Sequence, residues 1–118
     1  MLKTVPEMVA EARANLRCID SVAAMAEIGV NDGSILDVRE VVEVEHLNAP
    51  HSINIPRGVL EMKIGEAIAD ENHPIYVHCA TGGRATLAAE QLVKMGYRSV
   101  SVITCPIDIV VEQQKLTA

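Results

Sequence analysis

Apolar side chains recur along this chain at two spacings, one typical of helices and one typical of strands. From residue 5 to residue 16 they stand three or four positions apart, which predicts an amphipathic helix that opens near Thr4 or Pro6. Asp20-Ser21 is a second helix start, and Gly29 is its predicted end. Further helices are predicted over Val41 to His46, Arg57 to Ala69, Arg84 to Met95 and Pro106 to Lys115.

Short apolar runs, bounded by turn residues and prolines, lie between these helices and predict strands. The runs are Ser34 to Val38, Ser52 to Ile55, Ile75 to His78 and Ser99 to Ile103. Strands that alternate with helices predict an α/β domain, in which a parallel sheet is covered on both faces. We find no internal repeat, low-complexity segment or linker. One domain is therefore expected over residues 19–118, preceded by an N-terminal helix over residues 1–18.

The composition excludes several classes of function. The net charge of -6 and the scarcity of aromatic residues argue against a nucleic-acid partner, because such proteins use basic patches and base-stacking platforms. No apolar run approaches the roughly 20 residues needed to span a membrane. The first residues lack the apolar core of a signal peptide. We therefore expect a cytoplasmic protein that contacts neither nucleic acid nor membrane.

The three cysteines, Cys18, Cys79 and Cys105, fit a reducing compartment, because their odd number and irregular spacing make no disulfide framework. There is no Cys-x-x-Cys pair, and the four histidines do not form a His-x-x-x-His motif. We expect neither a metal site nor a cofactor.

Cys79 stands where chemistry is expected in such a fold. It follows the predicted strand Ile75 to His78 and precedes the helix that begins near Arg84, at a carboxyl strand end. The loop residues are Ala80, Thr81, Gly82 and Gly83. Their N–H groups, the helix dipole and the charge of Arg84 would stabilise a thiolate, which is the nucleophilic form of cysteine. The alternative is an inert, buried core thiol.

Three motifs in a fixed order resemble the rhodanese-like domain. They are Asp37-Val38-Arg39 after the first core strand, His46 in a turn leading to Asn54-Ile55-Pro56, and the strand–Cys79–loop–helix unit. The resemblance extends from about Asp20 to Ile103. It implies a five-stranded parallel sheet with helices on both faces.

The resemblance also implies a function, transfer of sulfane sulfur through a persulfide on Cys79. The implied partners are a small anionic sulfur donor such as thiosulfate, or another persulfide, and a nucleophilic acceptor, which could be a protein. Thiosulfate-using members often carry Arg directly after the cysteine, whereas this chain has Ala80. A non-catalytic rhodanese-like binding or sensing module is the alternative.

His78-Cys79 with a following Arg is also similar to the signature of cysteine phosphatases, in which five residues separate Cys from Arg. Here four residues separate Cys79 from Arg84, and position 85 is Ala. The shorter loop makes a smaller cradle, which fits a persulfide sulfur better than a tetrahedral phosphate. We therefore disfavour a phosphatase.

Four other polar residues are interpreted as structural and not as catalytic. Asp37 and Arg39 are interpreted as an ion pair below the active-site loop, and His46 as a residue that caps or pins a turn. His78 precedes Cys79 on the strand, so its side chain should point to the opposite face of the sheet. It is therefore a poor candidate for a general base.

Cys105 and the N-terminal helix each have two interpretations. Cys105 follows the strand next to that of Cys79, and could resolve the persulfide or form a disulfide with Cys79. The default interpretation is a partly buried free thiol. The apolar stripe of the N-terminal helix needs a partner, which is either its own domain or a second copy of the chain in a homodimer. Cys18 is placed at the end of this helix, with no role.

Overall fold

The computed structural model describes residues 1–116 and shows five strands and six α-helices within them. The strands are β1 (Arg17–Ile19), β2 (Ser34–Asp37), β3 (Ser52–Asn54), β4 (Ile75–His78) and β5 (Val100–Ile103). The helices are α1 (Val5–Arg13), α2 (Ser21–Asn31), α3 (Val41–His46), α4 (Leu60–Ala67), α5 (Gly83–Met95) and α6 (Ile107–Leu116). A 3-10 turn over Arg57–Val59 leads into α4. Positions 117 and 118 of the predicted domain lie outside the described residues.

All five strands form one parallel sheet, in the order β1-β5-β4-β2-β3. Strand β4 is central and buried at every position. Helices α1, α4 and α5 cover one face, and α2 and α6 cover the other. The predicted α/β fold, a five-stranded parallel sheet between helices, is confirmed. None of the helices over residues 1–116 is long and apolar enough to cross a membrane.

The first helix is shorter than predicted. It begins at a capping box, in which Thr4 Oγ1 accepts from the N–H of Glu7, but it ends at Arg13. Residues 17–19 form β1, which pairs with β5, so the placement of Cys18 at the end of a helix is wrong. Pairing with the free edge of β5 decides this conformation. A three-residue strand is too short to show an alternating pattern in the sequence.

The second helix is longer than predicted, because it passes through Gly29 and ends at Asn31. Asp32 adopts the left-handed conformation at φ 57°, the position that usually falls to glycine. The side chain of Asn31 stabilises this turn by accepting a hydrogen bond of 2.8 Å from the N–H of Gly33. Asparagine and aspartate thus end the helix in place of the glycine.

The alternation of side chains along the central strands divides the core into two clusters. Leu36, Val77 and Cys79 belong to the cluster beneath α4 and α5. Ile35 and Tyr76, one position earlier on each strand, belong to the cluster beneath α2 and α6. Side chains at alternate positions along a strand therefore lie on the same face of the sheet, and neighbouring ones lie on opposite faces.

His78 is fully buried in a polar network beside this second cluster. Its Nε2 lies 2.7 Å from Ser52 Oγ, which also accepts a hydrogen bond of 2.9 Å from Gln114 Nε2. Its Nδ1 is 4.0 Å from Asp37 Oδ1 and has no hydrogen-bond partner within the described residues. Burial lowers the pKa of His78 from 6.5 to about 4, because a charged imidazole would lose its hydration.

This low pKa predicts that the fold loses stability in mild acid. Between pH 6.5 and about 4 the unfolded chain binds a proton at His78 that the folded chain does not. Stability is therefore complete above pH 6.5 and falls as the pH drops toward 4, by on the order of 3 kcal/mol. Urea unfolding at a series of pH values should show this slope, and the slope should flatten in His78→Gln. Replacement of the exposed His46 by Gln is the matched control, and equal slopes in all three proteins would contradict the assignment.

Candidate active site

Cys79 lies directly after the central strand β4 and is 1% exposed. Its Sγ accepts two backbone hydrogen bonds, from the N–H of Gly82 at 3.1 Å and from the N–H of Ala85 at 3.3 Å. The second donor lies in the first turn of α5, whose positive dipole end therefore faces the sulfur. Two N–H donors and a helix terminus favour an anionic sulfur over a neutral thiol.

The loop between Cys79 and α5 is held from three sides. Gly82 has φ +102°, a conformation that side chains disfavour, and a Cβ atom there would lie 2.7 Å from Arg13 Nη2. The carbonyl of Gly82 accepts a hydrogen bond of 2.7 Å from Thr86 Oγ1. The carbonyl of Ala80 accepts one of 3.0 Å from the N–H of Ile107, at the start of α6. The cradle is therefore fixed before any substrate arrives.

The residues predicted to line the cradle do not contribute equally. Within residues 1–116, only the N–H groups of Gly82 and Ala85 donate to the sulfur. Thr81 is exposed and Ala80 half-buried. Gly83 begins α5. A role for Ala80, Thr81 or Gly83 in binding substrate stays a prediction.

Arg84, the cation predicted to receive an anionic donor, is paired with Glu43. Its guanidinium makes a bidentate ion pair with that carboxylate, in which Nη1 lies 2.5 Å from Oε1 and Nη2 lies 2.9 Å from Oε2. The pair raises the pKa of Arg84 and lowers the pKa of Glu43 to about 2. Sequence reasoning missed Glu43, because it lies 41 positions away on α3 and carries no local motif. The charge of Arg84 is therefore largely balanced in the resting site.

The predicted ion pair between Asp37 and Arg39 is present and buried, with both side chains 2% exposed. Arg39 Nε and Nη2 contact the carboxylate at 2.7 to 3.1 Å. The same guanidinium donates to the carbonyls of Glu43 and Leu47, at 3.3 and 2.9 Å. Arg39 thus anchors the helix that carries the partner of Arg84.

His46 does not join this network. It is exposed at the last position of α3, and its side chain makes no hydrogen bond or ion pair within the described residues. It stands in the last turn of α3, where a basic side chain complements the helix dipole. Its predicted role in pinning a turn has no contact to support it.

Cys105 and Cys79 lie against opposite faces of the sheet. Cys79 belongs to the core beneath α4 and α5, whereas Cys105 packs against the core beneath α2 and α6. Cys105 Sγ accepts a hydrogen bond of 3.3 Å from the N–H of Ser21 at the start of α2. All three cysteines are free thiols. This arrangement gives no support to direct exchange between Cys79 and Cys105.

Arg13 is a second residue of the site that sequence reasoning missed. It is the last residue of α1, and its Nε donates a hydrogen bond of 3.0 Å to Thr86 Oγ1. The two residues are 73 positions apart, so no local pattern could have joined them. The N-terminal helix therefore packs on α5 and reaches the loop of Cys79.

Comparison with known proteins identifies the family. The model of the rhodanese-like domain matches residues 19–105. "Putative sulfur carrier protein YrkF" of Bacillus subtilis is 39% identical over 67 residues, which are 57% of this chain and 35% of YrkF. "Thiosulfate sulfurtransferase PspE" of Escherichia coli is 32% identical over 65 residues, 55% of this chain and 62% of PspE. The matches thus span less than two thirds of either relative.

A solved structure supports the fold over nearly the whole chain. The Rhodopseudomonas palustris protein RPA3614, described as "Possible Tyrosine Phosphatase", superimposes with a TM-score of 0.83. The superposition covers 95% of this chain and 92% of that one, at 24% identity. At this identity the likeness shows the fold alone. Because the family model spans well over half of the residues, the chain belongs to the rhodanese-like domain family.

Proposed function

We propose that the protein is a sulfurtransferase that carries sulfane sulfur as a persulfide on Cys79. One observation carries the proposal: the buried Sγ of Cys79 faces two backbone N–H donors at 3.1 and 3.3 Å in a loop fixed by Gly82. A structural core thiol needs no such donors. Membership of the rhodanese-like family and similarity to a thiosulfate sulfurtransferase support the same conclusion.

The reaction divides into two displacements at sulfur. The Cys79 thiolate attacks the sulfane sulfur of the donor, and the donor's sulfur–sulfur bond breaks with its electron pair on the leaving group. With thiosulfate the leaving group is sulfite, and the enzyme holds Cys79-S-S⁻. An acceptor nucleophile then attacks the outer sulfur and restores the thiolate. No external oxidant or reductant takes part.

The cradle suits this cycle because Cys79 carries a negative charge in both states, first as the thiolate and then as the persulfide. The N–H groups of Gly82 and Ala85 bind the thiolate, and they stay beside the same sulfur atom when it carries the persulfide. The dipole of α5 adds a fixed positive field. Burial excludes water from the thiolate, so the two N–H groups take the place of water molecules as hydrogen-bond donors.

The charges around the loop favour one class of donor over another. Two loop positions could offer a cation to a dianion such as thiosulfate, but position 80 is alanine and Arg84 is paired with Glu43. A persulfide of lower charge, delivered by a thiol or by another protein, fits this site better. A sulfur-acceptor protein is the corresponding second partner. The same ion pair disfavours a phosphatase, because the Glu43 carboxylate occupies the guanidinium edge that a phosphate would bind.

Intact-mass measurement tests the persulfide directly. After incubation with thiosulfate, or with a small-molecule persulfide, the protein should gain the mass of one sulfur atom and lose it when cyanide is added. Cys79→Ser should gain none, since it lacks the nucleophile. Cys18→Ser, which removes an exposed thiol, is the matched control and should behave as wild type. A folded protein that gains no sulfur from either donor would instead indicate a binding module.

The ion pair between Arg84 and Glu43 predicts a gain of function. Glu43→Gln removes the carboxylate and frees the guanidinium, so KM for thiosulfate should fall by about fivefold, equivalent to about 1 kcal/mol, with kcat nearly unchanged. Glu45→Gln removes the same charge from the exposed face of the same helix and serves as the control. Steady-state assays with cyanide as acceptor measure both constants. An equal change in the two variants would mean a general charge effect and would contradict the prediction.

A further inference from the structure

The loop of Cys79 has a second cation, which comes from outside the part of the chain matched by the family model. Arg13 ends α1, six positions before that match begins at residue 19. Its guanidinium is half-buried against the loop: Nε binds Thr86 Oγ1 at 3.0 Å, and Nη2 lies over Gly82 where a Cβ atom would approach to 2.7 Å. The packing of α1 on α5 fixes this position.

Arg13 is connected to the sulfur through two hydrogen-bonded residues. Arg13 Nε donates to Thr86 Oγ1, and Thr86 Oγ1 donates to the carbonyl of Gly82 at 2.7 Å. The N–H of Gly82 in turn donates to Cys79 Sγ at 3.1 Å. Charge-assisted donation from a guanidinium polarises the hydroxyl of Thr86, which strengthens its bond to the loop.

Three arginines lie near the loop, and Arg13 is the one that has no carboxylate partner within residues 1–116. Arg84 on α5 is paired with Glu43 on α3, and Arg39 is paired with Asp37 at the end of β2. His78 on β4 is neutral near pH 7, because burial lowers its pKa to about 4. Each of these pairs offsets part of the charge of its arginine, although Arg84 still interacts electrostatically with Cys79.

Two further charged residues, Glu40 and Arg13, act near the loop. Glu40, at the start of α3, acts on Arg84 electrostatically and offsets part of its charge. Arg13 makes no ion pair with any carboxylate in residues 1–116. Arg13 is half-buried, so solvent screens its charge less than it screens the charge of an exposed side chain.

We propose that Arg13 is the positioning residue of the Cys79 site. It holds Gly82 in the conformation that aims its N–H at the sulfur, and its charge stabilises the thiolate and the persulfide anion. The N-terminal helix is then a part of the active site. This inference deepens the proposed function and rests on Cys79 being the reacting group.

The test is the rate of alkylation of Cys79 by iodoacetamide as a function of pH, followed in the Cys79 peptide by mass spectrometry. Arg13→Gln should shift the pH profile of alkylation to higher pH and slow alkylation about three- to tenfold on its acid side, because the thiolate loses a nearby positive charge. Arg13→Lys keeps the charge and should restore most of the shift. Arg17→Gln removes an arginine whose partner is Glu27 and serves as the matched control, with no shift expected.

Several outcomes overturn the proposal. Identical pH profiles for wild type and Arg13→Gln would do so, as would equal losses in the Gln and Lys variants, because the role would then be packing alone. If Arg13→Gln does not fold, Thr86→Val carries the test, since it breaks the hydrogen bond that holds the guanidinium. An unchanged profile in that variant overturns the proposal.

The measurement also separates this inference from the proposed function. Alkylation reports the thiolate whether or not sulfur is transferred. A shifted alkylation profile in Arg13→Gln, in a protein that never gains sulfur mass, would support the role of Arg13 and refute the sulfurtransferase. Sulfur transfer without any shift would do the reverse.

Discussion

Arg39 carries its charge inside the molecule, at 2% exposure, and Asp37 is the carboxylate that balances it. Removal of either partner would leave a buried charge unpaired, at a cost of several kcal/mol. The pair also organises its surroundings. The guanidinium binds two carbonyls of the α3 segment, while Asn54 Nδ2 binds the carbonyls of Asp37 and Arg39 at 3.0 Å. The position of α3 beside the sheet, and therefore of Glu43 beside Arg84, depends on this interaction.

The site combines a rigid centre with charges supplied from the periphery. The centre is the loop of Cys79, whose geometry follows from Gly82, the start of α5 and the end of β4. The charges come from α3 and α1, which bring Glu43 and Arg13 to the same loop. Under the proposed function, the loop holds the sulfur anion of Cys79, and the charges on the two helices set how strongly a charged donor is attracted. Changes in these helices would then alter donor preference without altering the nucleophile.

The loop of Cys79 lies within the segment that the family model matches, whereas Arg13 lies outside it. The family model begins at residue 19, after α1 has ended, while Glu43 lies inside the match. The matched segment therefore leaves out the whole of α1. The hydrogen bond from Arg13 to Thr86, and the position of the guanidinium over Gly82, place α1 directly against the loop of Cys79.

The sequence by itself determined the α/β class, the order of most elements and the loop of Cys79, because each depends on residues close together in the chain. Helix period, strand runs and Gly82 beside a cysteine are local signals. The tertiary structure alone decided β1, which forms only because β5 offers a free edge. It also decided the partners of Arg84 and Thr86 and the separation of Cys105 from Cys79. These features depend on contacts between residues tens of positions apart, and no spacing along the chain encodes such contacts.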